Sequence, residues 1–167
     1  MKQNVVIDSC FIIATIDSSD AFHRDAVNIF GILLKKSIDV RIIIPPIAIY
    51  EVIATLIRKG ISYKKVEGAI MRLLHKEKIV ILSIAETSAF KHAKKILKPG
   101  SSATSLRTAD FLIICIGIDL DALILTFDKK AYNKIKPVYK KTFYCSSLVR
   151  DIIDETSDFL YQIGYIK

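Results

Sequence analysis

The chain has 167 residues, which suits one domain with a substantial buried core, and its 51% hydrophobic content excludes an intrinsically disordered protein. Its 25 lysines and arginines against 17 acidic residues give a net charge of +8, which favours a polyanionic partner such as nucleic acid, with an anionic membrane surface as the alternative. The most apolar segment is interrupted by Asp119 and Asp121 well short of the roughly 20 residues that span a bilayer, so we expect a soluble protein and no membrane association.

Strand patterns and helix patterns alternate along the chain. Short runs rich in β-branched and other apolar residues predict five strands, at residues 4–7, 40–44, 79–84, 122–127 and 141–145. Apolar residues at helical spacing, with cap and stop residues, predict helices from about residue 10, at 21–34, 47–59, about 62–76 and 86–97, from 110, and after 146, with a helix or loop at 129–136. The alternation predicts an α/β fold in which helices flank a mostly parallel sheet.

Two acidic residues frame the most apolar part of the chain, the segment TADFLIICIGIDLDALILTFDKK. Thr108 is a good helix N-cap, so Asp110 is predicted to open a buried helix that breaks near residues 117–121. Asp128 follows the continuous apolar run ALILTF, which is typical of a strand inside a parallel sheet covered on both faces. Helix starts and strand ends face a common crevice at the carboxyl edge of an open α/β sheet, so we expect these two carboxylates to be neighbours.

Two further acids occupy comparable places in the predicted fold. Asp8 ends the first strand, and Glu51 lies early in the helix after the second strand. Carboxylates that are grouped without cations repel one another, so a cluster of these four acids requires something positive among them. Hard oxygen ligands suit Mg²⁺ or Mn²⁺, as one ion or two, and such ions activate water and offset the charge of a phosphodiester. The predicted chemistry is therefore metal-dependent hydrolysis of phosphodiester bonds.

The contexts of the four acids, VVIDSCFI, YEVIATL, TADFLII and LTFDKKAY, resemble those of PIN-domain ribonucleases, the family that includes the VapC-type toxins. The resemblance covers about residues 4–145 of a single PIN-like domain over 1–167, whose remainder at about 146–167 is a helical extension. It implies a three-layer fold with five parallel strands between helices, and endonucleolytic RNA cleavage that depends on Mg²⁺ or Mn²⁺. Carried over by position, the catalytic acids and metal ligands are Asp8, Glu51, Asp110 and Asp128, and the supporting hydroxyls beside the metal are Ser9 and Thr126.

Basic side chains close to the acids are candidate RNA contacts, because lysine and arginine bind phosphates without reading the base sequence. The candidates are Arg107, Lys129 and Lys130, and a solvated basic face is the alternative for the two lysines. The apolar stripe of the final helix predicts packing on the sheet. The resemblance implies, as the alternative, a docking surface for protein partners, namely an antitoxin or a second copy of the chain.

The three cysteines, Cys10, Cys115 and Cys145, are widely spaced, and none belongs to a CxxC pair that could hold zinc. We expect buried free thiols in a reducing, cytoplasmic environment. No signal peptide opens the chain, because the apolar run at residues 5–7 is short and Asp8 follows it directly.

The site residues also have structural interpretations. An acid at a helix start, such as Asp110, can stabilise the helix dipole, and Ser9 and Thr126 can bond to the backbone. The competing function is a non-catalytic PIN-like module that binds RNA or a protein and keeps its acids for folding. A hydrolase with an aspartyl nucleophile is disfavoured, because Cys10 stands where a second acid is required, and the chain has no glycine-lysine phosphate loop.

Overall fold

The computed structural model of the protein describes residues 2–82, 88, 91–93, 96, 106–146 and 161–163. The predicted end of the third strand at 83–84, most of the predicted helix at 86–97 and most of the C-terminal extension lie outside the described residues. Every predicted site residue lies within them.

The elements that are complete within the described residues are five strands and six helices, with one or two of these helices between successive strands. The strands are β1 (Gln3–Ile7), β2 (Val40–Ile44), β3 (Ile79–Ile81), β4 (Leu123–Thr126) and β5 (Thr142–Tyr144). The helices are α1 (Ser9–Ile16), α2 (His23–Leu34), α3 (Pro46–Arg58), α4 (Tyr63–Leu74), α5 (Thr108–Asp119) and α6 (Lys129–Ile135). Each predicted strand is present, and no helix in these described ranges is long and apolar enough to cross a bilayer.

The five strands form one sheet in the order β3-β2-β1-β4-β5. All four neighbouring pairs are parallel, which confirms the predicted parallel sheet. In the centre, Val5 is paired with Ile42 on one side and with Leu123 on the other. Because β1 and β4 are adjacent and parallel, their carboxyl ends meet at the same edge, and the strand order changes direction there.

The strands are apolar throughout because both faces of the sheet are covered. Val5 and Ile7 pack with residues of α1, α2, α3 and α4, whereas Val6 packs on the opposite face with residues of α5 and α6. All three side chains are fully buried. The result is the three-layer α/β arrangement that the sequence predicted, with continuous apolar runs in place of an alternating pattern.

Two of the predicted acids begin helices at the sheet edge. Asp8 is the N-cap of α1, and Asp128 is the N-cap of α6. The prediction that Thr108 caps the helix containing Asp110 is wrong: Thr108 is the first helical residue of α5, and the N-cap is Arg107, which makes no side-chain cap bond. The Arg107 side chain is instead paired with Asp110, which lies in the first turn.

The cysteines are free thiols, as predicted. Cys115 and Cys145 are buried and Cys10 is half-buried. Burial raises the pKa of Cys115 to about 12 and that of Cys145 well above its ordinary value, so both thiols stay protonated at neutral pH. Cys115 and Cys145 therefore act as small packed side chains.

Candidate active site

Asp8 is one of two buried residues among the four predicted acids, together with Asp110. Asp8 directly follows β1 and is only 7% exposed, and Asp110 is 6% exposed. Its Oδ1 accepts the backbone N–H of Phe11 at 2.8 Å, and its Oδ2 accepts the hydroxyl of Thr126. Burial raises the pKa of Asp8 to about 7 against these two hydrogen bonds, which lower it. The negative charges of Asp128 and Asp110 raise the same pKa further, so the three carboxylates share one electrostatic environment.

Thr126 ties the ends of β1 and β4 together. Its hydroxyl, which is buried, donates to Asp8 and accepts the backbone N–H of Asp128 at 2.9 Å. The single hydroxyl therefore fixes one acid directly and orients the backbone of the next. It lies beside the acids, where the sequence resemblance placed it.

Asp128 is held from two sides. Its Oδ1 accepts the backbone N–H groups of Lys130 at 2.8 Å and Ala131 at 3.0 Å, which caps α6. Its Oδ2 accepts Nη2 of Arg107 at 3.1 Å. The aspartate is thus aimed by its own helix, and its second oxygen faces the arginine.

Arg107 joins Asp110 to Asp128. Its Nε donates to Asp110 Oδ2 at 3.1 Å, and its Nη2 donates to Asp110 Oδ1 at 3.3 Å, in addition to the bond with Asp128. The hydrogen bond to Asp110 raises the pKa of Arg107, and the charges of Asp128 and Glu51 act in the same direction. The guanidinium is therefore the positive charge among the acids, although its side chain is 61% exposed.

Glu51 lies on α3 and is paired with Ser9. The Ser9 hydroxyl donates to Glu51 Oε2 at 2.7 Å. The charge of Glu51 acts on Arg107 and on the Cys10 thiol, which locates the carboxylate on the same side of the molecule as the aspartates. Glu51 itself is half-buried.

The predicted RNA-contacting lysines follow Asp128 directly. The side chains of Lys129 and Lys130 are exposed at the start of α6. Arg107, the third predicted RNA contact, is engaged with the acids. The sequence predicts Arg107 as a phosphate contact. Its pairing with Asp110 was not predicted, although the spacing of three residues is a signal for it.

The fit of a metal ion to these side chains depends on their present contacts. Within the described residues, no three acidic, histidine or cysteine side chains are arranged so that together they could hold an ion. Both oxygens of Asp8 accept hydrogen bonds, one oxygen of Asp128 caps a helix, and Arg107 is bonded to Asp110. The oxygen donors suit a hard divalent cation, which Asp8, Glu51, Asp110 and Asp128 would hold. In this structure Arg107 is the positive group paired with Asp110 and Asp128.

The chain matches the model of one known protein family, the PIN domain, over residues 5–136. No curated protein sequence matches the chain. The match runs from within β1 to the end of α6, and it includes all four predicted acids.

Several solved structures share the fold at low sequence identity. VapC20 of Mycobacterium tuberculosis, a sarcin-ricin-loop-cleaving toxin, has a TM-score of 0.57 and 10% identity, over 74% of this chain and 87% of that chain. VapBC2 of Rickettsia felis, bound to a DNA fragment from its promoter, has a TM-score of 0.61 and 15% identity, over 80% and 93%. VapBC-1 of nontypeable Haemophilus influenzae has a TM-score of 0.56 and 20% identity, over 81% and 94%.

Proposed function

The chain belongs to the PIN domain family, and from that premise we propose that it is a divalent-metal-dependent endoribonuclease. The observation that supports the proposal is the gathering of Asp8, Asp110 and Asp128 from three different elements at one sheet edge. The negative charges of Asp128 and Asp110 both raise the pKa of Asp8. A cation relieves such repulsion among carboxylates, and the net charge of +8 suits a nucleic-acid substrate.

The proposed metal ligands are the four acids Asp8, Glu51, Asp110 and Asp128, and the proposed cofactor is Mg²⁺ or Mn²⁺, as one ion or two. When bound, such an ion supplies activated water and offsets negative charge on the phosphodiester. The chain itself supplies orientation: Thr126 holds Asp8, and Ser9 holds Glu51. These hydroxyls act on the metal site through the acids that they orient.

Arg107 has two successive tasks in this proposal. In the free protein its guanidinium balances Asp110 and Asp128. With an ion bound to Asp110 and Asp128, the exposed Arg107 would be free to contact RNA phosphates beside Lys129 and Lys130. Arg107 could then both pair with the acids in the free protein and contact RNA when the ion is bound.

Cleavage assays test the proposal. Single-stranded and structured RNAs are incubated with the wild-type protein in Mg²⁺ or Mn²⁺, and then with EDTA. We expect endonucleolytic fragments that require the ion and that disappear in Asp8→Asn. The matched control is Asp121→Asn, an exposed acid that is paired with Lys141 away from the site and whose positive φ of 49° suits asparagine.

Equal loss of cleavage in both variants would point to damage to the fold, and intact cleavage in Asp8→Asn would exclude the proposed acid site. RNA binding without any ion-dependent cleavage would favour the second candidate, a non-catalytic PIN-like module. The observation in favour of that candidate is the Arg107 pairing, which offsets part of the charge of Asp110 and Asp128 without any metal.

The proposal extends to a VapC-type toxin that is restrained by an antitoxin, because two of the matched structures are VapBC assemblies. Expression of the wild-type chain in bacteria is then expected to arrest growth, and Asp8→Asn is expected to abolish the arrest. Co-expression of the protein encoded next to it should restore growth and yield a complex on size-exclusion chromatography. The same measurement on the chain alone tests the proposed homodimer.

A further inference from the structure

We propose that the cavity beside Asp128 binds one unpaired nucleobase of the RNA, next to the phosphate that is cleaved. This inference rests on the proposed ribonuclease function and names a substrate contact for it. The cavity has a volume of about 370 Å³, within the range of small-ligand pockets. It lies where α1, the segment before α2, α3 and the end of β4 meet, and its lining includes Cys10, Phe22, Thr55, Lys59, Phe127 and Asp128.

Aromatic rings form one wall of the cavity. The rings of Phe22 and Phe127 are stacked, with centroids 5.0 Å apart and planes inclined by 16°. Phe127 is in turn stacked on Phe11 at 5.5 Å, so Phe22 rests on a fixed aromatic column. Phe127 is buried, whereas Phe22 is half-buried and leaves part of its ring at the cavity. A flat π-face at the end of a rigid stack is the surface on which unpaired bases stack.

Polar groups of both kinds lie at the same cavity. Lys59 Nζ is 2.8 Å from Asp17 Oδ2 and 3.4 Å from Asp20 Oδ2, so the ammonium is held in place. Asp20 and Lys59 both line the cavity, and Thr55 adds a hydroxyl. The edge of every nucleobase carries N–H donors next to carbonyl or ring-nitrogen acceptors, which a neighbouring carboxylate and ammonium can satisfy together.

The charges favour a base over a bare phosphate in this cavity. Asp20, Asp128 and Lys59 line the cavity. Asp17 is paired with Lys59 and Arg107 with Asp128, so these five side chains together carry a formal charge of −1. An anion would be repelled, whereas a neutral ring with polar edges would not. An aliphatic side chain of a protein partner would use the apolar wall and leave the polar groups without a partner.

The position of the cavity links it to the acids. Asp128 belongs both to the cavity lining and to the group formed with Arg107 and Asp110. A base seated on Phe22 would therefore bring its own backbone phosphate to the carboxyl edge of the sheet. Because a base can enter only when it is unpaired, the cavity selects single-stranded segments and loops.

The test measures RNA affinity in EDTA, where no ion-dependent cleavage interferes. The probe is a short fluorescent single-stranded RNA, compared by anisotropy with versions that carry one abasic ribose at each position in turn. Phe22→Leu keeps an apolar side chain and removes the π-face, and we expect it to weaken binding about fivefold to tenfold. Tyr63→Leu is the matched control, because Tyr63 is an exposed aromatic residue outside the cavity, and its effect should stay within twofold.

A second variant, Thr55→Met, fills the cavity from α3 with a residue that favours helix, and it should weaken binding to a similar extent. At one position, the abasic RNA should bind the wild-type protein as weakly as intact RNA binds Phe22→Leu. The same abasic change should add nothing in Phe22→Leu.

Additive losses, or equal binding of intact and abasic RNAs by the wild-type protein, would overturn the base pocket. Competition for the cavity by an apolar peptide, with no effect of the abasic ribose, would do so too and would assign the cavity to a protein partner. Cleavage in Mn²⁺ is scored separately. Cleavage that does not respond to abasic substitution would contradict the base pocket alone. The expected binding pattern without cleavage would contradict the ribonuclease function alone.

Discussion

Arg107 and Asp128 form an ion pair across the candidate site, with Nη2 of the arginine donating to Oδ2 of the aspartate at 3.1 Å over a separation of 21 residues. The same guanidinium donates twice to Asp110. A side chain of the protein itself therefore pairs with the acids that open α5 and α6, and its single positive charge offsets half of their combined charge of −2. Any divalent ion bound between them competes with Arg107.

This competition predicts that removing the guanidinium strengthens metal binding. In Arg107→Met, we expect the Kd for Mn²⁺ from isothermal titration calorimetry to fall about twofold to fivefold, as fits an exposed ion pair worth up to about 1 kcal/mol. Arg72→Met, at an exposed arginine of α4, should leave the Kd unchanged. An unchanged or higher Kd in Arg107→Met would show that the arginine and the metal do not share a place. If Arg107 also contacts the RNA, cleavage falls in the same variant.

A shared site also predicts how the metal changes thermal stability. A ligand that binds only the folded protein raises the Tm according to its affinity. We expect Mn²⁺ to raise the Tm of the wild-type protein by more than that of Asp8→Asn or Asp110→Asn, as measured by differential scanning calorimetry. In EDTA, the free energy of unfolding of Asp8→Asn should lie within about 1 kcal/mol of the wild-type value. Asparagine keeps the N-cap acceptor and removes a buried charge that Asp128 and Asp110 repel, but its amide NH2 cannot accept from the Thr126 hydroxyl.

Equal Mn²⁺ shifts in all three proteins would indicate that the ion binds elsewhere. Asp121→Asn, at an exposed acid, serves as the control and should keep the full shift. The comparison does not require catalytic activity, so it tests the metal site separately from the ribonuclease proposal.

The parallel sheet was predictable because its strands are buried on both faces. The run ALILTF has one polar residue, Thr126, near its end and no polar alternation that would mark a solvent face, and β4 lies within it as Leu123–Thr126. The positions of Asp8 and Asp128 at strand ends then followed from the parallel arrangement, since adjacent parallel strands end at one edge.

The contacts between the acids were not predictable in the same way. The start of α5 was misplaced by one residue because Thr108 is a better N-cap by type than Arg107, and a charged pair with Asp110 prevailed over that preference. That Arg107 also reaches Asp128 depends on how α5 lies against β4, which no local pattern encodes. The cavity residues Phe22, Thr55 and Lys59 likewise come from segments with no common motif.

The Thr126 hydroxyl is predicted to be a structural requirement of the site. In Thr126→Val the shape is kept, but Asp8 Oδ2 and the backbone N–H of Asp128 lose their partner in a buried place. We expect the free energy of unfolding to fall by about 1–3 kcal/mol in urea titrations. Thr126→Ser keeps the hydroxyl and should recover most of the loss. Equal destabilisation by both variants would mean that the methyl group, and not the hydrogen bonds, is what matters.

The pH dependence of stability can be tested at Asp17, away from the candidate metal ligands. The hydrogen bond from Lys59, with a further one from Ser19, lowers the pKa of Asp17 to about 2 from 3.8. A carboxyl whose pKa is lower in the folded protein stabilises it above the unfolded pKa, and that contribution disappears as the pH falls through the folded pKa.

The free energy of unfolding of the wild type should therefore exceed that of Asp17→Asn at pH 5 and above, by about 1 kcal/mol, and the difference should shrink between pH 4 and pH 2. Urea titrations over that range measure it. Asparagine can still accept the Ser19 N–H, so the variant removes mainly the charge that faces Lys59. In the Lys59→Met background, the loss in free energy of unfolding caused by Asp17→Asn should be smaller over the same pH range. A difference that stays constant from pH 6 to pH 2 would mean that the ion pair does not contribute, and that Asp17 stabilises the turn before α2 through its hydrogen bonds alone.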